Sequence, residues 1–297
     1  MKTIKIYRYD AFTSEPYKGN AAGVVIDAAH LSHQEMQDIA FQAGYSETVF
    51  VLKSNKADLQ LRYFTPGKEV NLCGHATIAA VLALKEQGTL GKEDFLTIET
   101  KAGVLPIRIE KTPDGLFIEM KQATPKFKEF TGDRTALAAS MGVKIEDFDT
   151  SLPIMFGNTG SWTLLVPMLG LMPFEKMEPK NEDFPGIFQQ IPESSLHPFC
   201  LETTDPKCHM HSRHFSSPLT GIKEDPITGT ASAVMGAYYA KYIAEDPVFP
   251  MQLQLEQGQE MGKDGRVAVR MDRQGDLIEV SISGTAVFTE EFEVNIR

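Results

Sequence analysis

Apolar and polar positions along this chain follow two rhythms. A period of two predicts strands, and two stretches that are apolar on every side predict buried helices. Residues 3–9 alternate as a strand, and residues 21–26 form an unbroken apolar run. Ser32 followed by Glu35 reads as a capping box, Leu31 with Met36 as its staple, and Met36, Ile39, Ala40 and Ala43 as the buried face of a helix stopped by Gly44. Residues 46–52 then read as a strand buried on both faces. Further strands are expected over 59–65, 95–99, 103–110, 116–120, 162–166, 208–213, 251–255, 266–271, 277–283 and 285–289, with a short helix over 135–141. Residues 173–192 read as a Pro- and acid-rich loop holding one helical turn. The sum is an α+β chain, mostly strand.

The first all-apolar helix begins after Cys73-Gly74-His75 and carries Ala76, Ile78, Ala79, Ala80, Val81, Leu82, Ala83 and Leu84, which leave it no wet face. Its first-turn amides and positive dipole end remain to be satisfied, and Gly74 allows a ligand to come close, so the turn suits an anion. The design recurs. Arg62-x-Phe64 leads to Gly74-His75-Ala76-Thr77, and Arg213-x-Phe215 leads to Gly229-Thr230-Ala231-Ser232. Gly19-Asn20 and Gly157-Asn158 each precede an apolar run. These matches predict an internal duplication with a period of roughly half the chain. The expected halves are 1–120 and 121–284, with 285–297 as a last strand able to return to the first half. Two helix N-termini would then face one cleft.

Composition narrows the function. A net charge of −11 argues against nucleic acid or an anionic membrane as partner. Residues 1–10 are no apolar leader, and no run is long enough to span a bilayer. Three cysteines without CxxC spacing suit a reducing cytoplasm. Gly258, Gly262 and Gly265 lack the strand-turn-helix setting of a nucleotide fingerprint. His209 and His211 share a strand face near Cys208, but third and fourth zinc ligands at the usual spacing are missing, so no metal is expected.

Among candidate residues, Glu47 stands at the mouth of an apolar strand. It is either a solvated strand end or a partly desolvated acid suited to proton transfer. Asn20 could orient a ligand or merely hold its own turn. Asp225, just before the second Gly turn, fits a helix cap as well as a functional acid. Cys73 reads as a small residue packing its turn.

The segments FTSEPYKGNAAGVV (12–25), YSETVFV (45–51), RYFTPGKEVNLCGHAT (62–77), RHFSSP (213–218) and EDPITGTAS (224–232) resemble the PhzF-like isomerases of phenazine biosynthesis, which share the diaminopimelate epimerase fold. Ala21 departs from the family, which usually has Pro after the Asn. The resemblance implies two similar halves, each a sheet wrapped around a central helix, with the active site in the cleft between them. It implies Glu47 as the acid/base, with His75, Asp225 and Thr230 around a small carboxylated substrate and the Gly74 and Gly229 turns holding its carboxylate; Asn20 joins the expected substrate-binding set on its own reading. It further implies no cofactor, a homodimer, and a reaction that moves a proton between carbons of one molecule. Two alternatives remain on this scaffold. One is a two-thiol racemase or epimerase, which needs a Cys before each Gly turn, whereas Thr228 stands at the second. The other is a non-catalytic protein that binds small acids.

Overall fold

A computed structural model of the chain describes residues 2–113, 115–220 and 222–296. Its strands and helices assemble into two units, Met1–Lys121 with Ser283–Arg297, and Gln122–Ile282.

In the first unit the apolar run at Asn20–Val25 pairs antiparallel with Lys2–Ala11 and parallel with Glu47–Leu52. Such a parallel step needs a crossover, and helix α1 (His33–Ala43) supplies it. The α1 boundaries are local chemistry: Ser32 and Glu35 form the expected reciprocal box, and Gly44 ends the helix at φ 71°. Glu47–Leu52 continues antiparallel to Leu59–Phe64, which lies parallel to Phe95–Thr100; this pairs antiparallel with Gly103–Thr112, and Gly103–Thr112 with Gly115–Lys121. A short strand, Glu69–Val70, hangs on Leu59–Phe64. The last strand, Ala286–Ile296, lies antiparallel along Lys2–Ala11, with Lys2 opposite Ile296. The sheet curls around α2 (Gly74–Glu86), whose residues from His75 to Leu84 are all buried. Burying Ile78, Val81, Leu82 and Leu84 stabilises the unit by about 1.5–3 kcal/mol each.

The second unit repeats the plan. Met155–Asn158 and Trp162–Pro167 are antiparallel, Trp162–Pro167 and Ser195–Cys200 parallel, and Ser195–Cys200 and Met210–Ser212 antiparallel. Met210–Ser212 and Met251–Gln257 are parallel, and Gly265–Gln274 closes the series antiparallel. The order antiparallel, parallel, antiparallel, parallel, antiparallel is that of the first unit. An outer strand, Lys126–Glu129, flanks Met155–Asn158 as Ala286–Ile296 flanks Lys2–Ala11. Helix α3 (Arg134–Met141), capped by Asp133, precedes this core, and α4 (Phe184–Ile187) lies in the crossover. The central helix is α5 (Gly229–Tyr238), buried from Ala231 to Tyr238. At Gly236 an added Cβ would lie 2.6 Å from Val269 Cγ1, so the helix sits directly against Gly265–Gln274.

The repeat extends to side chains. Arg62 forks onto Glu69 at 2.8 and 3.1 Å and lies over the Phe64 ring; Arg213 forks onto Glu224 at 2.8 Å twice and lies over Phe215. Thus the two Arg-x-Phe motifs are equivalent, as the sequence reading expects. The Gly-Asn pairs are not. Asn20 opens the second strand of its unit, whereas Asn158 closes the first strand of the other. Residues 173–192 are also more than a loop: Phe174, Phe184 and Phe188 are fully buried, and the last two stack with ring centroids 5.1 Å apart. Proline and acid content masked an aromatic plug over the second core. Among the described residues no helix is long and apolar enough to cross a membrane.

Candidate active site

The first unit brings its candidate residues together at the N-terminus of α2. Parallel pairing sets Ala22 beside Glu47, so the starts of Asn20–Val25 and Glu47–Leu52 lie at one edge of the sheet. Cys73 takes the N-cap position in extended conformation, and its side chain accepts no cap hydrogen bond. The turn is braced from behind. Thr77 Oγ1 donates to the Cys73 carbonyl at 2.7 Å and lies 2.7 Å from the hydroxyl of the fully buried Tyr63.

His75 is the hub. Asn20 Nδ2 lies 3.4 Å and Cys73 Sγ 3.3 Å from its Nδ1, while Ser46 Oγ lies 3.4 Å and Glu47 Oε2 3.3 Å from its Nε2. The Glu47 side chain is 17% exposed. Burial pushes its carboxyl above the ordinary 4.5, against the pull of hydrogen bonds from Ser46 and Cys73. Glu47 is therefore no solvated strand end; its carboxyl is largely withdrawn from water. Cys73 is not just packing, since its sulfur reaches both His75 and Glu47.

In the second unit the turn before α5 is a hydrogen-bonded clasp. Thr228 is the N-cap without a side-chain cap bond, because its hydroxyl donates instead to Asp225 Oδ2 at 2.5 Å. Gln257 spans the turn: its Nε2 donates to the Asp225 carbonyl at 2.7 Å, and its Oε1 accepts from the Thr228 amide at 3.2 Å. The Thr230 carbonyl accepts from Thr159 Oγ1 at 2.7 Å, and Gly229 opens the helix. Ser46, Thr228 and Gln257 were not foreseen as site residues. Ser46 and Thr228 adjoin predicted ones, but Gln257 arrives from a distant strand and carries no local signal.

The histidines near Cys208 do other work. His211 is buried between carboxylates, Nδ1 2.9 Å from Glu256 Oε1 and Nε2 2.8 Å from Glu260 Oε1. His209 Nδ1 accepts from the Gln254 amide. Burial depresses the imidazole of His214 to about 3 and holds its neighbour His197 well below the ordinary range.

Comparison with known proteins identifies the family. The family model for phenazine biosynthesis-like proteins, PhzC-PhzF, matches residues 9–291. The chain is 50% identical to YfhB of Bacillus subtilis, named an uncharacterized isomerase, over 98% of both chains. It is 30% identical to the trans-2,3-dihydro-3-hydroxyanthranilate isomerase of Pseudomonas aeruginosa, over 96% of this chain and 98% of that one. A crystal structure of a PhzF-family phenazine biosynthesis protein from Bacillus anthracis superposes with a TM-score of 0.98 at 52% identity, covering 100% of both chains. The chain belongs to the PhzC-PhzF family of phenazine biosynthesis-like proteins and is an isomerase.

Proposed function

We propose that the protein isomerises a small carboxylic acid, cyclic or unsaturated, by moving one proton between carbons without a cofactor. Glu47 is the acid/base. It takes a proton from one carbon, the electron pair spreads into the adjoining unsaturation, and the same carboxyl, partly exposed and exchanging its proton with water, returns a proton to another carbon. Asn20, Gly74, His75, Asp225, Gly229 and Thr230 form the substrate-binding set, with the first-turn amides of α2 and α5 as donors to developing negative charge. The observation that carries this reading is the largely buried Glu47 carboxyl 3.3 Å from His75, with burial raising it above its ordinary value. A carboxyl raised above its ordinary value holds a proton more readily than a solvated glutamate does, which suits it to taking one up and giving one back.

The two-thiol alternative is weaker, because Thr228 at the second turn donates its hydroxyl hydrogen bond to Asp225 and is no substitute for a thiol. The protein is further proposed to be a cytoplasmic homodimer, which light scattering on the purified chain tests. The catalytic reading is tested by screening small unsaturated acids for binding by calorimetry and for isomerisation by proton NMR. Glu47→Gln should keep binding and lose turnover. Undiminished turnover in that variant would overturn the assignment, and binding without turnover in the parent would favour a small-acid binding protein.

A further inference from the structure

The head of α2 gathers three side chains of three donor types. Glu47 Oε2 lies 3.3 Å from His75 Nε2, Cys73 Sγ lies 3.8 Å from that same nitrogen, and ligand atoms of all three fall within 4.8 Å of one another. Zinc binds carboxylate oxygen at about 2.0 Å, imidazole nitrogen at about 2.1 Å and thiolate sulfur at about 2.3 Å, so tetrahedral neighbours are about 3.4 Å apart for O and N and about 3.6 Å for S and N. The carboxylate-to-imidazole spacing already matches, while Cys73 Sγ, which lies nearer His75 Nδ1 at 3.3 Å, must swing about its side-chain torsions toward Nε2 to share the ion. The frame is also firm, with Cys73 and His75 on one helical turn braced by Thr77 and Tyr63. A thiolate with an imidazole selects zinc over magnesium or calcium. A close imidazole pair elsewhere, His197 with His214 at 3.2 Å, belongs to no such group of three among the described residues.

We propose that Glu47, Cys73 and His75 bind one zinc ion, with the fourth position open to water or a substrate carboxylate, and that the bound ion switches the isomerase off. Binding releases the Cys73 thiol proton and takes Glu47 and His75 in their deprotonated forms. A carboxylate oxygen engaged by zinc no longer accepts a proton from carbon. The inhibitory half rests on the proton-transfer role of Glu47; the binding half stands on the three ligands alone.

The test uses the reduced, chelator-treated full chain titrated with Co²⁺ alone. A thiolate-to-cobalt charge-transfer band should grow to one equivalent and bleach when Zn²⁺ displaces the cobalt. Cys73→Ser, checked for folding by circular dichroism, should lack the band and bind Zn²⁺ at least roughly tenfold more weakly. Cys208→Ser should keep the band, since burial pushes that thiol up to about 12. Zn²⁺ should suppress solvent-deuterium exchange into the substrate over the range in which it binds, and a chelator should restore it. No band in the parent, a band that survives Cys73→Ser, or full exchange at saturating Zn²⁺ overturns the proposal. A cobalt band in a chain that exchanges no acid would leave the metal site standing and remove its inhibitory meaning together with the isomerase reading.

Discussion

Replacing Glu256 by Gln removes a charge from the interior of the second unit while keeping the side chain's shape. Glu256 is fully buried, and its carboxylate accepts from the Thr204 amide at 2.6 Å, the Thr204 hydroxyl at 2.8 Å and the Asp205 amide at 3.0 Å, with His211 Nδ1 at 2.9 Å. Burial alone would raise its carboxyl, but His211 and these donors outweigh burial and hold it at about 2, against an ordinary 4.5. At about 1.4 kcal/mol per pH unit, the native charge contributes about 3 kcal/mol at pH 7. A depressed carboxyl gives stability that is present above 4.5 and lost as pH falls through about 2. The contribution is therefore still about 2 kcal/mol at about pH 3.5 and under about 1 kcal/mol near pH 2.5. His211 has the opposite sign. Burial lowers its imidazole, the two carboxylates raise it further, and its net contribution fades as pH rises through the raised value. Urea unfolding of Glu256→Gln should show a loss of about 3 kcal/mol at neutral pH, equivalent to a fall in Tm of about 6–12 °C. The gap to the parent should narrow on acidification. A difference below about 1 kcal/mol at pH 7, or one that does not change with pH, would refute the charge accounting.

Other consequences can be measured directly. The acid limb of kcat/KM should have its midpoint above 4.5, because Glu47 must be deprotonated to act and burial raises it. Ser46→Ala should move that limb further up by removing a hydrogen bond that favours the carboxylate; an unmoved limb would separate Glu47 from the profile. Gln257→Leu leaves the Asp225 carbonyl and Thr228 amide without their brace and should destabilise by about 1–3 kcal/mol while raising KM more than it lowers kcat; an unchanged KM would count against a substrate role for that turn. Gly236→Ala places a Cβ 2.6 Å from Val269 Cγ1 and should cost about 1–3 kcal/mol in chemical denaturation, with a neutral result showing that the contact between α5 and its strand is looser than described.

What could be read in advance was local. The α1 boundaries follow from Ser32, Glu35 and Gly44, three residues that act on their own turn. The central helices declared themselves because they are apolar all round. Strand Ser195–Cys200 escaped notice: it contains His197 and Pro198, and it is a strand because it lies parallel to Trp162–Pro167, a partner far away in sequence. Lys126–Glu129, with three charged residues of four, is likewise a strand only through its pairing with Met155–Asn158. At the site, Glu47 stands out by its apolar surroundings, while the role of His75 comes from the family resemblance. The contact of Cys73 with His75 and the clasp of Gln257 depend on tertiary geometry that no spacing encodes.

The claim at the centre of the account is that one carboxyl moves the proton. Incubating an accepted acid with the enzyme in D2O, and following deuterium at the reacting carbons by NMR, tests it most directly. The parent should incorporate solvent deuterium as it isomerises, and folded Glu47→Gln should bind the same acid with incorporation reduced by at least about 10²-fold. Incorporation at the parental rate in that variant would contradict the account.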